Sequence, residues 1–253
     1  MTKRSFNILG LACALAVMAL VTAAPALAQE PTHYTFVSFW SVPRGQWNDF
    51  EKAEAGSNAI LEHLVADGTL VCWGSAYALV HTEEGYTHSD WFVSTTQSGI
   101  VKTLDALHDF ARSQSLINTT KHRDLFLHNI AHGGKTSHTT SGYIRVAQWE
   151  AKPGRGEQIE QIFKRYIQPD LDAGVANGSV LMYNFDEEQV HTDAPGGYNL
   201  AVVYADGDGL DKSAAALAAR TRDNPAAAEA FSAMMENAAH RDTLSRVLAF
   251  QHK

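Results

Sequence analysis

The chain repeats itself, and this duplication restricts its fold more than any single motif. The segment from about Tyr34 to Asp124 recurs from about Tyr143 to Asp242. Trp40 ends an apolar run of alternating character, and Trp149 ends its counterpart. A Pro/Gly break follows each: Pro43-Arg44-Gly45, then Pro153-Gly154-Arg155-Gly156. A helical stretch closes with Asp67-Gly68-Thr69-Leu70 in one copy and Asn177-Gly178-Ser179-Val180 in the other. Val80-His81-Thr82-Glu83 is matched by Val190-His191-Thr192-Asp193, and His122-Arg123-Asp124 by His240-Arg241-Asp242. A unit of about 110 residues used twice dictates one element order for both halves.

That order reads strand, helix, strand, strand, helix, strand. In copy one the strands are His33 to Trp40, Leu70 to His81, Ser89 to Ser94 and Asp124 to Ile130. The helices are Gln46 to Ala66 and Ile100 to Ser115, the second with Leu104, Leu107, Phe110 and Ala111 at helical spacing. Glu84-Gly85 reads as the hairpin turn. In copy two, Tyr143 to Trp149, Val180 to Val190, Tyr198 to Tyr204 and Thr243 to Phe250 are the strands. Ile159, Ile162, Phe163, Tyr166 and Ile167 mark one helix, which Pro169 should kink or end early. The Ala-rich run Leu210 to Ala239, interrupted at Asn224-Pro225, is the other. Ala131 to Ser141 reads as a polar linker.

Four strands make a sheet with two faces. Two helices cover one face, and a second copy can cover the other. This pattern resembles the ferredoxin-like split βαβ plait, and the chain resembles the dimeric α+β barrel superfamily in a fused, two-repeat form. The resemblance implies an α+β fold: tandem ferredoxin-like βαββαβ repeats whose antiparallel sheets pack as an intramolecular pseudo-dimer or barrel. The expected boundaries are 1–28 leader, 29–131 first repeat, 132–141 linker and 142–253 second repeat. The superfamily includes cofactor-free monooxygenases, small lyases and isomerases, and haem enzymes, so the fold alone does not choose a chemistry.

Residues 1–28 have the form of a cleaved export signal. Lys3 and Arg4 form a positive start, Ile8 to Val21 is a short apolar stretch, and Ala26-Leu27-Ala28 is an A-x-A cleavage site before Gln29. The expected location is periplasmic or secreted. The 20 Lys and Arg against 28 Asp and Glu give a formal net charge of −8, and loss of Lys3 and Arg4 would make the chain more acidic still. An acidic chain lacks the basic face that nucleic acid requires and the charge for an electrostatic membrane anchor. With Cys13 gone, Cys72 is the one remaining cysteine, so no internal disulfide forms; in an apolar strand it reads as a packing thiol.

Candidate chemistry sits in the repeated polar motifs. His81, His191, His122 and His240 each stand near an acid and are the candidate acid/base residues. The alternative for His-Thr-Glu/Asp is hairpin chemistry. Arg123 and Arg241 are candidates for holding an anionic group. His128, His132 and His138 are imidazoles of a kind that suits Zn or Cu, without zincin spacing; no metal site is assigned, and the cofactor stays open. Trp40, Trp73, Trp91 and Trp149, with Phe36, Tyr77, Tyr183 and Tyr204, fall on strands. Those facing away from the helices should either line a ligand space between the two sheets, with Trp40, Trp149 and Tyr77 as candidate ligand contacts, or simply pack sheet on sheet. Ala53, Glu54 and Ser57 stand where copy two has Ile162, Phe163 and Tyr166, which places the more open space in copy one. The expected partner is a small apolar or aromatic ligand, and fusion leaves a homodimer open. Two functions follow: an exported monooxygenase-like or lyase-like enzyme without cofactor, or a non-catalytic ligand-binding or assembly protein, with a haem or metal member of the same superfamily as a further alternative.

Overall fold

The computed structural model describes residues 32–81, 85–191 and 196–253. The 1–28 leader, Thr82, Glu83, Glu84, Thr192, Asp193, Ala194 and Pro195 lie outside them. Repeat one runs β1 (Tyr34–Ser41), α1 (Trp47–Ala55), α2 (Asn58–Ala66), β2 (Cys72–Ala78), β3 (His88–Ser94), α3 (Gln97–Ser113), α4 (Ser115–Thr119) and β4 (Lys121–Gly134). A short β5 (Ser137–Thr139) follows. Repeat two runs β6 (Tyr143–Glu150), α5 (Gly156–Ile162), a π-helical turn (Phe163–Ile167), α6 (Gln168–Asn177), β7 (Val180–Val190), β8 (Gly197–Tyr204), α7 (Gly207–Asp223), α8 (Pro225–Met234) and β9 (Arg241–His252).

Each repeat is a four-stranded antiparallel sheet, β2-β3-β1-β4 and β7-β8-β6-β9. A lone sheet of this kind has two edges of unpaired backbone groups. Here the edges meet. β4 pairs with β7 from Phe126↔Val190 to Gly134↔Met182, and β2 pairs with β9 from Cys72↔His252 to Ala78↔Ser245. Eight strands thus close one barrel, with β5 added beside the end of β9.

Strand alternation sorts the side chains. On β1, Tyr34 and Phe36 pack toward the helices and Val37 toward the barrel interior. On β3, Phe92 faces the helices, and Trp91 and Val93 face inward. One part of the interior is filled by Trp91, Ile144, Leu181, Met182, Val203 and Phe250, with Cys72 Sγ 3.4 Å from Met182 Sδ. Burial pushes the Cys72 thiol up, away from thiolate. The expected ligand space between the sheets is therefore absent among these side chains. Only Trp91 of the strand tryptophans points there; Trp73 packs under the helices of repeat one and Trp149 under those of repeat two.

Other expectations shift for local reasons. The helix expected over Gln46 to Ala66 is two helices, parted at Gly56–Ser57. There Ser57 Oγ donates to Glu54 O at 2.8 Å, and the chain passes so near Phe110 that a Cβ on Gly56 would lie 2.9 Å from its ring. The stretch read as a linker is partly strand, since β4 extends to Gly134 and β5 lies within it. Pro169 acts as expected of a helix breaker. It has no N–H to donate back one turn, and the helix widens into the π turn just before it. Matched caps mark the second helix of each repeat: Thr96 Oγ1 accepts from Gly99 N at 3.0 Å, and Asp206 Oδ1 accepts from Gly209 N at 2.9 Å.

Gly74 is where the barrel interior tolerates no side chain. An added Cβ would sit 2.4 Å from the buried Trp91 ring, whereas one on Gly45 would meet nothing within 4 Å. Gly74→Ala should therefore cost about 1–3 kcal/mol, and Gly45→Ala should stay within about 0.5 kcal/mol. Urea unfolding monitored by tryptophan fluorescence checks both; equal midpoints for the two variants would contradict this packing.

Candidate functional site

The helix-covered faces of the two sheets differ. In repeat two, a cavity of about 370 Å³ lies between the outer face of β6 and β8 and the helices α5 to α8. Its walls are mainly apolar: Ile162, Leu171, Leu200, Val202, Leu217 and Phe231, with the rings of Trp149 and Tyr166. The sequence explains the space. Counted from the paired glycines Gly99 and Gly209, Phe110 of α3 becomes Arg220 in α7, and the short side chains of Ser213 and Ala216 line the cavity. Short side chains over the sheet leave volume unfilled. Repeat two thus holds the more apolar space, while the smaller first-helix residues of repeat one border a second, more polar one beside Glu54 and Asn58. The π turn contributes as well, since Tyr166 and Ile167 both line the cavity.

Polar groups enter this wall in pairs. Tyr204 Oη lies 3.0 Å from Ser213 Oγ, and burial pushes the phenol up. Arg220 donates to Tyr166 O at 3.2 Å and pairs with Asp170; burial lowers its pKa while Asp170 opposes the shift. Arg145 Nη2 donates to Asp242 Oδ2 at 2.9 Å, and Asp242 Oδ1 lies 3.4 Å from His240 Nε2. The His240 ring stacks on Trp149 at 5.4 Å between centroids and 7° between planes. A chain His240–Asp242–Arg145 thus ends in the cavity wall beside Trp149. Its members are about 40 % exposed, so the pairs position side chains more than they stabilise the fold.

The structure therefore brings Trp149 and His240 together at one cavity and adds Arg145, which sequence reading missed. Arg145 has no counterpart in repeat one, where Phe36 holds the equivalent place, so the repeat gave no signal for it. Arg241 points elsewhere, donating to the carbonyls of Ala238 and His240 at 2.8 Å. In repeat one, Trp40 sits 4.7 Å from the His122 ring, and His122 Nε2 is 3.4 Å from Asp124. Tyr77 lies near Trp47 and His88, and His81 is exposed beside Trp47. His191 is also exposed, and neither it nor His81 lines the cavity. Arg123 lies opposite Phe39, on the face of Leu125 and Leu127, turned from the helices.

His128, His132 and His138 do not converge. His128 tilts against Tyr34, His138 lies 3.8 Å from Glu62, and the His132 ring lies tilted against His33 at 3.9 Å. Burial, with His132 and His252 nearby, pushes His33 down to about 4. Among the described residues, no group of three or more His, Cys, Asp or Glu side chains is placed to hold a metal ion.

Solved structures match this architecture. A candidate monooxygenase from Lactobacillus acidophilus NCFM superposes with a TM-score of 0.63 at 11% identity, covering 87% of this chain and 96% of that one. One from Fusobacterium nucleatum gives 0.63 at 11% identity, covering 88% and 94%. An anthrone oxidase-like protein gives 0.52 at 9% identity, covering 88% and 94%. These likenesses show a shared fold, a closed antiparallel α+β barrel. No protein-family model matches the sequence, and no curated protein matches it. In this fused α+β barrel the two sheets come from one chain, so the two helix-covered faces are free to differ.

The barrel also buries an acid. Asp186 is 1 % exposed and accepts from Asn129 Nδ2 at 3.0 Å; burial pushes it up to about 7 despite bonds from Asn129 and Thr35. The folded chain then holds this proton more tightly than the unfolded chain. Stability should fall as pH rises from about 4 to about 7. Asp186→Asn should match the wild type at pH 4 and exceed it by about 2–4 kcal/mol at pH 8. Urea midpoints across that range test this, and a constant difference at all pH values would contradict it.

Proposed function

We propose that this protein is an exported enzyme of the monooxygenase-like kind that takes a small, largely apolar aromatic molecule into the repeat-two cavity. The observation that carries the reading is the cavity itself: an apolar space within the ordinary size range of ligand pockets, with aromatic rings and few polar groups. The names of the fold neighbours support the direction of the chemistry. The leader with Lys3, Arg4 and Ala26-Leu27-Ala28 supports export.

The residues assign themselves roles by geometry. Trp149 offers a flat face for an aromatic ring, held in place by His240 behind it. Arg145, fixed by Asp242, is a guanidinium at the wall that suits an anionic oxygen such as a phenolate or enolate. Lowering the cost of that anion is what a cofactor-free oxidation asks of a protein, because the electrons then come from the substrate itself. His240 acts through Asp242 and is a positioning residue. A haem held by imidazole, thiolate or thioether does not suit this cavity, since its lining side chains include none of these donors.

Anthrone is a fitting probe. Its ring CH₂ would become a carbonyl, one oxygen atom of O₂ entering the product and the other leaving as water with the two hydrogens. Anthrone should quench tryptophan fluorescence on binding and drive oxygen uptake in the presence of a chelator. Ala216→Trp, which fills the cavity, should weaken binding at least about tenfold. Arg145→Met should lower oxygen uptake by roughly 10–100-fold with a smaller effect on binding. Binding without oxygen uptake would remove the enzymatic part of the reading and leave a ligand-binding protein. Unchanged binding in Ala216→Trp would remove the site.

A further inference from the structure

The helix-covered face of repeat one carries a more polar pocket. Where repeat two places Phe163, stacked on Phe185 at 3.9 Å, repeat one places Glu54. The fold thus accepts a plain hydrophobic core at this position, and the carboxyl is an addition. Glu54 is 8 % exposed, and neither of its oxygens has a hydrogen-bond partner. Its acidic neighbours differ in this respect. Glu51 Oε1 lies 3.4 Å from His88 Nε2, Asp90 accepts from Trp40 Nε1 at 2.7 Å, and Asp124 accepts from Ser38 Oγ at 2.7 Å. A buried polar group left without a partner is costly, so an unfilled one that lines a pocket indicates a missing donor. That pocket, about 330 Å³, lies between α1, the start of α2 and strands β2 and β9, and Asn48, Asn58 and Ser75 line it with Glu54.

We propose that repeat one holds a second site, for a small primary ammonium compound whose charge is received by Glu54. The neighbouring charges favour a cation over a neutral donor. The titratable groups around Glu54 are Glu51 and Lys52 on its own helix, His88 and Asp90 on β3, and His122 and Asp124 on β4. The acids outnumber the one full cation, Lys52, which is exposed and does not reach the Glu54 oxygens. Asn48, Asn58 and Ser75 supply neutral oxygens for the remaining N–H groups, and Leu248 and Ala249 an apolar wall for a short carbon chain. A metal ion is a poorer fit, because no group of three His, Cys, Asp or Glu side chains converges among the described residues.

This arrangement makes a proton the stand-in for the ligand. Burial, then Asp90 and Glu51, raise Glu54 well above the usual carboxylate range, and burial pushes Asp90 up to about 6. With no cation against it, the buried Glu54 is biased toward the neutral acid. An arriving ammonium turns it into a carboxylate, and the displaced proton leaves to solvent.

Calorimetric titration of the whole protein with n-butylammonium at pH 7, in phosphate and in HEPES, reads both binding and proton release. Saturable binding with net proton release, seen as a buffer-dependent enthalpy, is expected. Glu54→Gln, which mimics the neutral acid in size and keeps the fold by thermal melting, should weaken binding at least about tenfold and release no proton. Asp90→Asn should weaken binding less and still release the proton. Ala216→Trp in the other repeat should change nothing, which separates this site from the aromatic cavity. Absence of butylammonium binding, equal affinity in Glu54→Gln, or binding of acetamide without proton release would each overturn the proposal.

Discussion

Closure of the barrel is the constraint from which the rest of the structure follows. Each repeat alone has two bare strand edges and one uncovered sheet face. The β4–β7 and β2–β9 seams pair both sets of edges in one chain, and the same act stacks the two uncovered faces into a packed interior. The interior must then be filled, because eight strands enclose little more than their own side chains. Trp91 lying over Gly74, and Phe250 near it, show how completely that filling is done.

With the interior committed to packing, only the helix-covered faces can host chemistry. They are not linked by symmetry as they would be in a dimer of identical chains. Repeat two uses an Ala-rich helix and a π turn to leave an apolar cavity beside Trp149 and Arg145. Repeat one fills the same region with larger helix residues and buries acids instead, among them Glu54 and Asp90. Fusion of two repeats thus permits one scaffold to hold an apolar site and an acidic one.

The fold was legible because duplication, alternation and turn residues all report local geometry. The element order, the break at Asn224-Pro225 and the effect of Pro169 needed no tertiary knowledge. The space within the fold was less legible. Whether a strand aromatic faces the barrel or the helices depends on register, which a shift of one residue reverses. Trp40 and Trp149 belong to the helix side for that reason. Comparison of first helices pointed to open space in repeat one, and a polar-lined pocket does lie beside Glu54; the apolar cavity of repeat two was decided by the second helix, where Arg220 replaces Phe110. The His-Arg-Asp motif did mark the cavity edge through His240 and Asp242. Arg145 left no trace because it is unique to one copy, and Glu54 was seen only as a smaller residue, not as a buried acid.

The central claim is that ligands enter the sheet–helix space of repeat two and not the barrel interior. Anomalous diffraction from crystals soaked with a brominated naphthol tests it most directly. A bromine peak among Trp149, Tyr166 and Phe231 is the predicted result. A peak between the sheets, near Trp91 and Phe250, would contradict it.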